Sequence, residues 1–301
     1  MNPDLVSVVF LLRPEREAAV PLTTGRAVHA AFMDLVKQVD PDLSDRLHSP
    51  SRFKPFTVSP LHSLSDRRDD HFLVYPTNTY WLRFTSLDAT LSTLLLNLRP
   101  DDFERINLAG AAFDVVNVIV NSSDHPWANQ ATFDALARRW LDDDWSPPRK
   151  IRLRFVTPTT FVSDDQNIPL PLPHLVFFQL GEKWRQYAPM PLASLISRLF
   201  DEPVHSSSTA SDEAEKMSSG HWLALNRVIG LSQYDLKTRI LDFVHYKQVG
   251  FTGQVEFLVH ESFSDEQTKL LHLLADFAFF AGVGYKTTMG MGQVYPLIKH
   301  T

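Results

Sequence analysis

The sequence predicts an α+β fold made of two tandem β-α-β-β-α-β units, and three features point to it. Short apolar runs alternate with helically periodic segments, in that order, over the first 120 or so residues. A charged, proline-punctuated stretch, Asp142-Asp143-Asp144-Trp145-Ser146-Pro147-Pro148, then breaks the pattern. Beyond it a similar alternation restarts. Each unit has the split βαβ order of a ferredoxin-like, RRM-like domain, with residues 1–145 forming the first and 146–301 the second.

The elements follow one by one. Val6 to Leu12 is a short apolar run that reads as a buried strand. From Gly25 to Val39, the residues Val28, Ala31, Phe32, Leu35, Val36 and Val39 recur at helical spacing and form one apolar stripe. Pro41 ends that helix, because proline disfavours helical geometry in the residue before it. A short helix from Pro41 to Leu47 sets Leu43 and Leu47 one turn apart. Strand-like runs follow at Phe56–Ser59 and Tyr80–Phe84, then a helix from Asp88 to Leu98 with Asp88 as its cap. A strand rich in valine and isoleucine, Ala111 to Val120, closes the first unit. In the second unit, Ile151–Phe155 is a strand and Pro171–Tyr187 is mostly helical. Trp222–Ala224 and Val255–Val259 are strand positions, Gln267–Ala281 is an apolar helix, and Gln293–Ile298 is the closing strand. Ser206–Ser219, rich in Ser, Asp and Glu, reads as a mobile loop.

Composition narrows the function classes. With 301 residues, 44% hydrophobic and 21% charged, the chain has room for two compact globular domains. No apolar run is long enough to span a bilayer, and Met1-Asn2-Pro3-Asp4 lacks the basic region of a secretory signal. Cysteine is absent, which removes disulfides, thiolate metal sites and cysteine nucleophiles and fits a cytoplasmic setting. A net charge of −6 gives no overall basic footprint, so a nucleic-acid surface has to be a local stripe. Lys150, Arg152 and Arg154 alternate along one strand and share a face, which suits such a stripe or an ordinary solvated sheet.

The acidic pairs Asp101-Asp102 and Asp164-Asp165 fall in turn-like contexts, and the 12 histidines lack metal-ligand spacing, so no metal or other cofactor is expected. No phosphate-binding Walker loop and no serine-hydrolase elbow is present. The densest signal is Gly282-Val283-Gly284-Tyr285-Lys286-Thr287-Thr288-Met289-Gly290-Met291-Gly292, which holds four of the chain's 11 glycines. Glycine lets backbone amides approach a phosphate closely, with Lys286, Thr287 and Thr288 adding charge and hydroxyls. The same stretch also reads as a helix cap followed by a hairpin loop.

This loop, between the last helix and last strand of a second ferredoxin-like unit, resembles the RAMP superfamily of RNA-binding proteins. Its wording resembles the crRNA-processing, Cas-six-type endoribonuclease branch. The likeness extends to Gly25-Arg26-Ala27-Val28-His29-Ala30-Ala31-Phe32, Asp40-Pro41-Asp42-Leu43, Leu47-His48 and Lys54-Pro55-Phe56-Thr57-Val58-Ser59. It continues in Phe155-Val156-Thr157-Pro158-Thr159, Leu170-Pro171-Leu172-Pro173 and Gly250-Phe251-Thr252-Gly253, in order along essentially the whole chain.

The resemblance implies cleavage of CRISPR repeat RNA by attack of a 2′-hydroxyl on its own adjacent phosphate. It implies His48 as the catalytic histidine and Lys54 as its assistant. Some members carry a tyrosine on the first helix; Met33 stands there and exchanges no proton, which leaves Arg26, His29 or Arg52 as a third participant. Independently, a histidine suits proton transfer near neutral pH, and a helix C-terminus favours its charged form. His48 also reads as an idle surface residue, and His29 as a helix-flank histidine satisfied by a neighbour. Expected partners are the repeat RNA, held by Arg52, the glycine-rich loop and the Lys150–Arg154 strand, and subunits of an effector complex, the chain itself being monomeric or a homodimer. The rival reading is a non-catalytic RNA-binding subunit of the same superfamily.

Overall fold

The computed structural model describes residues 3–62, 67–68, 71–103, 105–141, 145–163, 165–200, 224–243 and 246–297. The first half opens with β1 (Leu5–Pro14), whose residues are buried on both faces over most of its length, and β2 (Ala18–Pro21). Helix α1 (Gly25–Val39) follows and buries Val28, Phe32, Met33, Leu35 and Val36, while α2 (Pro41–His48) buries Leu43, Ser44 and Leu47. Then come β3 (Phe56–Val58), β4 (Arg67–Arg68), β5 (His71–Val74), β6 (Tyr80–Ser86) and α3 (Ala89–Asn97). The Asp88 carboxylate caps α3 by accepting from the Leu91 amide at 2.9 Å. The half closes with β7 (Ile106–Leu108), β8 (Ala111–Ile119), β9 (Asn129–Ala131) and α4 (Phe133–Leu141).

The second half contains β10 (Lys150–Thr159), β11 (Phe161–Ser163), β12 (Gln166–Ile168), α5 (Pro173–Tyr187) and α6 (Met190–Ala193). It ends with β13 (Ile229–Asp242), β14 (Lys247–Val259), α7 (Asp265–Ala281) and β15 (Val294–Pro296). Helix α7 starts on a reciprocal capping box between Ser264 and Gln267, and its residues from Leu270 to Ala281 are all buried.

Both sheets are antiparallel, with order β3-β6-β1-β8-β7 in the first and β13-β14-β10-β15 in the second. In each, the third strand of the unit pairs with one edge of the first and carries the second outside it, and the fourth pairs with the other edge of the first. That is the ferredoxin-like arrangement, twice. β2, β4 and β5 form a small separate sheet, and β9 adds to β1. The core changes partners before the charged break: Phe133, Leu136, Ala137 and Trp140 of α4 pack with α5 and α7 of the second half.

One expectation needs correction in the second half, the strand at Trp222–Ala224. Ala224 is helical, within residues 224–228, and the second strand of the unit is β13, which starts at Ile229. β13 escapes a periodicity reading because it is a projecting hairpin arm, exposed at most positions, and carries no apolar alternation. Trp222, the stretch Ser206–Ser219, Asp142–Asp144 and Asp164 lie outside the described residues. Among the described residues, no helix is long and apolar enough to cross a membrane.

One buried cation joins the halves. Arg83 of β6 is 1% exposed, and its guanidinium lies over the rings of Trp127 (4.9 Å) and Phe279 (4.3 Å). It donates to Ser7 Oγ, Gln293 Oε1 and the Phe279 carbonyl, each at 2.6 Å. Burial lowers its pKa to about 9, still above neutrality, so the charge is held by aromatic faces and neutral acceptors.

Candidate active site

His48 is the last residue of α2. Pro41 and the Asp40 side chain, which accepts from the Leu43 amide at 2.9 Å, start that helix. The apolar residues Leu43 and Leu47 fix its inner face, so His48 emerges exposed. His48 Nδ1 lies 2.9 Å from the Ser44 carbonyl oxygen. A carbonyl only accepts, so Nδ1 carries the proton, and Nε2 is the nitrogen left to exchange one.

Lys54 closes the same helix end. Its ammonium donates to the carbonyls of Leu47 (2.8 Å), His48 (3.4 Å) and Ser49 (2.6 Å). A positive charge therefore sits beside His48 in a fixed position, with its three donors committed to backbone.

His29 of α1 approaches from the other side. Its Nδ1 donates to the Thr288 carbonyl at 2.8 Å, and its ring stacks on Phe56 with centroids 5.9 Å apart. Burial lowers its pKa below the ordinary 6.5; the Thr288 carbonyl opposes the shift, and the charges of His48 and Lys54 add to it. His29 is therefore a neutral donor at pH 7 that ties α1 to the glycine-rich loop.

That loop is a stitched turn. The Val283 amide donates to Gly292 O (2.9 Å), Tyr285 to Thr160 O (2.7 Å) and Gly292 to Pro158 O (3.1 Å). Gly292 has φ 69°, and a Cβ there would lie 2.0 Å from Val283 O. At the head of α1, a Cβ on Gly25 would lie 1.9 Å from Met289 O, so the loop rests on α1 itself. Lys286 sits in an aromatic cage. Its ammonium donates to the Tyr246 hydroxyl and lies 3.9 Å from that ring's centroid and 4.9 Å from those of Phe243 and Tyr285.

A cavity of about 870 Å³ lies between these parts, lined among others by Arg52, Lys54, His174, Lys183, Lys286 and Thr288. The structure thus brings together His29, Lys54, Arg52, Gly284, Lys286, Thr287 and Thr288, with His48 at the helix end beside Lys54. Arg52 is held over the rings of Phe53 (5.4 Å) and Phe178 (5.1 Å). Arg26 lies aside, 3.4 Å from the Phe243 carbonyl. Gly282 and Gly290, with φ of 60° and 87°, shape the ends of the loop rather than the cavity wall.

The second-domain strand stands apart from this cavity. Lys150 (3.0 Å) and Arg152 (2.6 Å) both pair with Glu256, whose pKa falls to about 2 through hydrogen bonds from Lys150, Ser232 and Arg152. Arg154 has no carboxylate partner among the described residues. Sequence reasoning missed Gln179, Lys183 and Arg83. The available signal was a lone charged residue inside an otherwise apolar stretch, as at Arg83 in YWLRFTS. Lys183 is 3% exposed, and burial lowers its pKa to about 7.

Two ferredoxin-like domains with a histidine-bearing helix end, a basic cavity and a glycine-rich loop between them define a RAMP-type RNA-processing protein. The chain belongs to the Cas6 family. The profile described as CRISPR Cas6 N-terminal domain matches residues 5–138, and that of the CRISPR-associated endoribonuclease Cas6 matches residues 153–294. Among solved structures, the Cas6 TTHB231 product complex is 26% identical over 99% of this chain and 100% of its own, with TM-score 0.71. Thermus thermophilus Cas6 (TTHB231) is 26% identical over 97% of this chain and 98% of its own, at TM-score 0.65. The Cas6 TTHA0078 product complex, 22% identical over 98% and 99% of the two chains at TM-score 0.66, shares the fold. No curated protein sequence matches the chain.

Proposed function

We propose that this protein cuts CRISPR precursor RNA within the repeat, without a metal ion, and that His48 moves the proton. The reaction is attack of a ribose 2′-oxygen on the adjacent phosphorus. The new 2′-O–P bond forms as the P–O5′ bond breaks, leaving a 2′,3′-cyclic phosphate and a 5′-hydroxyl. One proton leaves the 2′-hydroxyl and one reaches O5′, so a side chain that exchanges protons near neutral pH and fixed positive charge meet the chemical need.

The observation that carries this reading is the anchoring of His48: Nδ1 is tied to Ser44, and Nε2 is free on an exposed ring beside Lys54. His29 suits the proton-transfer role less, because its lowered pKa and its bond to Thr288 make it a neutral tether. Lys54 acts by its field on the developing phosphorane charge, since its donors are committed to α2. Arg52 and the wall formed by Lys286 to Thr288 hold the RNA backbone.

One observation favours the rival, a subunit that binds guide RNA without cutting it. The first-helix position of the family tyrosine is Met33, which is 6% exposed and packed in the core. The test is incubation with repeat RNA in EDTA, beside His48→Ala, His29→Ala and an RNA with a deoxy sugar at the cut site. Cleavage at one position, lost in His48→Ala and with the deoxy RNA, supports the proposal. Loss only in His29→Ala moves the catalytic role to α1, and tight binding without cleavage selects the binding subunit.

A further inference from the structure

Helix α5 belongs to the second domain, yet it touches both loops that border the cavity. Near its middle, Gln179 Oε1 accepts from the Gly284 amide at 2.7 Å. One turn on, the buried ammonium of Lys183 donates to the carbonyls of Ala281 (2.6 Å) and Gly282 (3.1 Å). Those are the last carbonyl of α7 and that of its capping residue, where a cation is favoured by the helix dipole, and they lead directly into the glycine-rich loop. Near the C-terminal end of α5, the Tyr187 hydroxyl donates to the Phe53 carbonyl, and Gln186 Nε2 lies 3.2 Å from Ser51 Oγ. One residue before Gln179, Phe178 supports the Arg52 guanidinium at 5.1 Å.

The spacing follows from helix geometry. Gln179 and Lys183 are four residues apart and share a face, and Gln186 and Tyr187 follow after another turn. Gln179 to Tyr187 spans about 12 Å of helix axis. A rigid rod of that length touches Gly284 near one end and Phe53 near the other. Both loops line the same cavity, one with Lys286 and Thr288, the other with Arg52 and Lys54.

We propose that α5 is a positioning element for the reaction: Gln179 and Lys183 set the glycine-rich loop, Gln186 and Tyr187 set the loop after His48, and the helix holds the two in register across the domain boundary. The proposal rests on the endoribonuclease reading above. None of the four residues needs to touch the scissile phosphate. They act through Gly284, Gly282 and Phe53, so their loss leaves the reacting groups present but displaced.

The test uses the full chain, Tyr187→Phe, Lys183→Met and the double variant. Tyr187→Phe removes one hydroxyl and keeps the ring, so it tests the idea even if Lys183→Met folds poorly. Three quantities are read: the single-turnover cleavage rate at saturating repeat RNA, the RNA dissociation constant, and amide hydrogen exchange at residues 51–54 and 282–292. The expected result is a rate lowered about ten- to a hundredfold in each single variant, with affinity changed by less than about threefold. Exchange speeds up at 51–54 in Tyr187→Phe and at 282–292 in Lys183→Met. Wild-type rates in both variants overturn the proposal, as does a loss confined to affinity. If the wild type binds repeat RNA but does not cut it, the endoribonuclease reading fails, and the exchange data still decide: unchanged exchange in both loops overturns the positioning role, and faster exchange upholds it.

Discussion

Arg83 Nη1 donates to Gln293 Oε1 at 2.6 Å, and Gln293 Nε2 in turn reaches Thr57 Oγ1 and the Val58 carbonyl, each at 3.2 Å. The pair joins β6 and β3 of the first domain to the residue just before β15 of the second. The backbone N–H of Gln293 also donates to Thr157 Oγ1 at 2.9 Å, so one glutamine connects β6, β3 and β10. The two domains are thus locked by a buried polar network rather than by apolar contact alone.

Arg83→Met removes the guanidinium and strands Gln293 Oε1 and the Phe279 carbonyl without their donor. A loss on the order of 3 kcal/mol of stability is expected, read as a lower urea midpoint. Arg83→Lys recovers only part of it, because an ammonium lacks the planar fork that reaches separated acceptors. A midpoint equal to that of wild type for Arg83→Met contradicts the lock.

On the proposed mechanism, His48→Ala is expected to lower the single-turnover cleavage rate by about a hundredfold or more, with little change in RNA affinity. The His48 ring is exposed and its loss opens no core cavity, so the melting temperature stays near that of wild type. An equal fall in affinity and rate would mark His48 as a binding residue.

Gly25→Ala places a Cβ where Met289 O now lies, 1.9 Å away, so the glycine-rich loop has to lift off α1. A stability loss of about 1–3 kcal/mol is expected from overpacking. The displaced loop also carries the Thr288 acceptor of His29, so on the proposed mechanism cleavage is expected to slow as well. Thermal melting and cleavage assays on the same preparation check both effects.

His62 stacks on Trp81 with ring centroids 3.9 Å apart, and burial lowers its pKa to about 4, with the charge of Arg83 adding to the shift. In the unfolded chain it titrates near 6.5. Between those values the unfolded state holds the extra proton, so stability falls as pH drops from about 6.5 toward 4. Denaturant midpoints across that range should show the loss, and His62→Gln should flatten it. An unchanged slope in the variant excludes His62 as the source.

Arg154→Ala should weaken repeat-RNA binding and reduce the salt dependence of affinity by about one counterion. Lys150→Ala should change affinity less, because Lys150 is already paired with Glu256. Binding isotherms over a range of salt concentrations separate the two.

The helices that frame the site were legible because their signals are local. Residues 25–39 carry an apolar stripe bounded by Gly25 and the Asp40-Pro41 break, and α1 occupies those residues. The short helix read from Pro41 to Leu47, which ends one residue later at His48, and the cap at Asp88 were equally readable from proline, aspartate and leucine spacing. β13 was not, since an exposed hairpin arm shows no alternation, and the short strands β2, β4 and β5 lack the length to reveal a period. The charged stripe at Lys150, Arg152 and Arg154 was visible as sequence, but Glu256, which neutralises part of it, is a cross-strand neighbour about a hundred residues away.

By itself, the sequence determined the helices that frame the site, the place of His48 at a helix end, and the glycines that allow the turn after α7. Each follows from contacts within a few residues: apolar periodicity, caps, and backbone freedom. Tertiary structure alone decided what the site residues do. His29 is a neutral tether because it is buried against Thr288, 259 positions away; Lys54 is a helix cap as well as a charge; and Gln179 to Tyr187 reach two loops at once. The roles of His29, Gln186 and Tyr187 depend on which surfaces meet when the domains dock, and burial and hydrogen-bond geometry across that junction have no period along the chain.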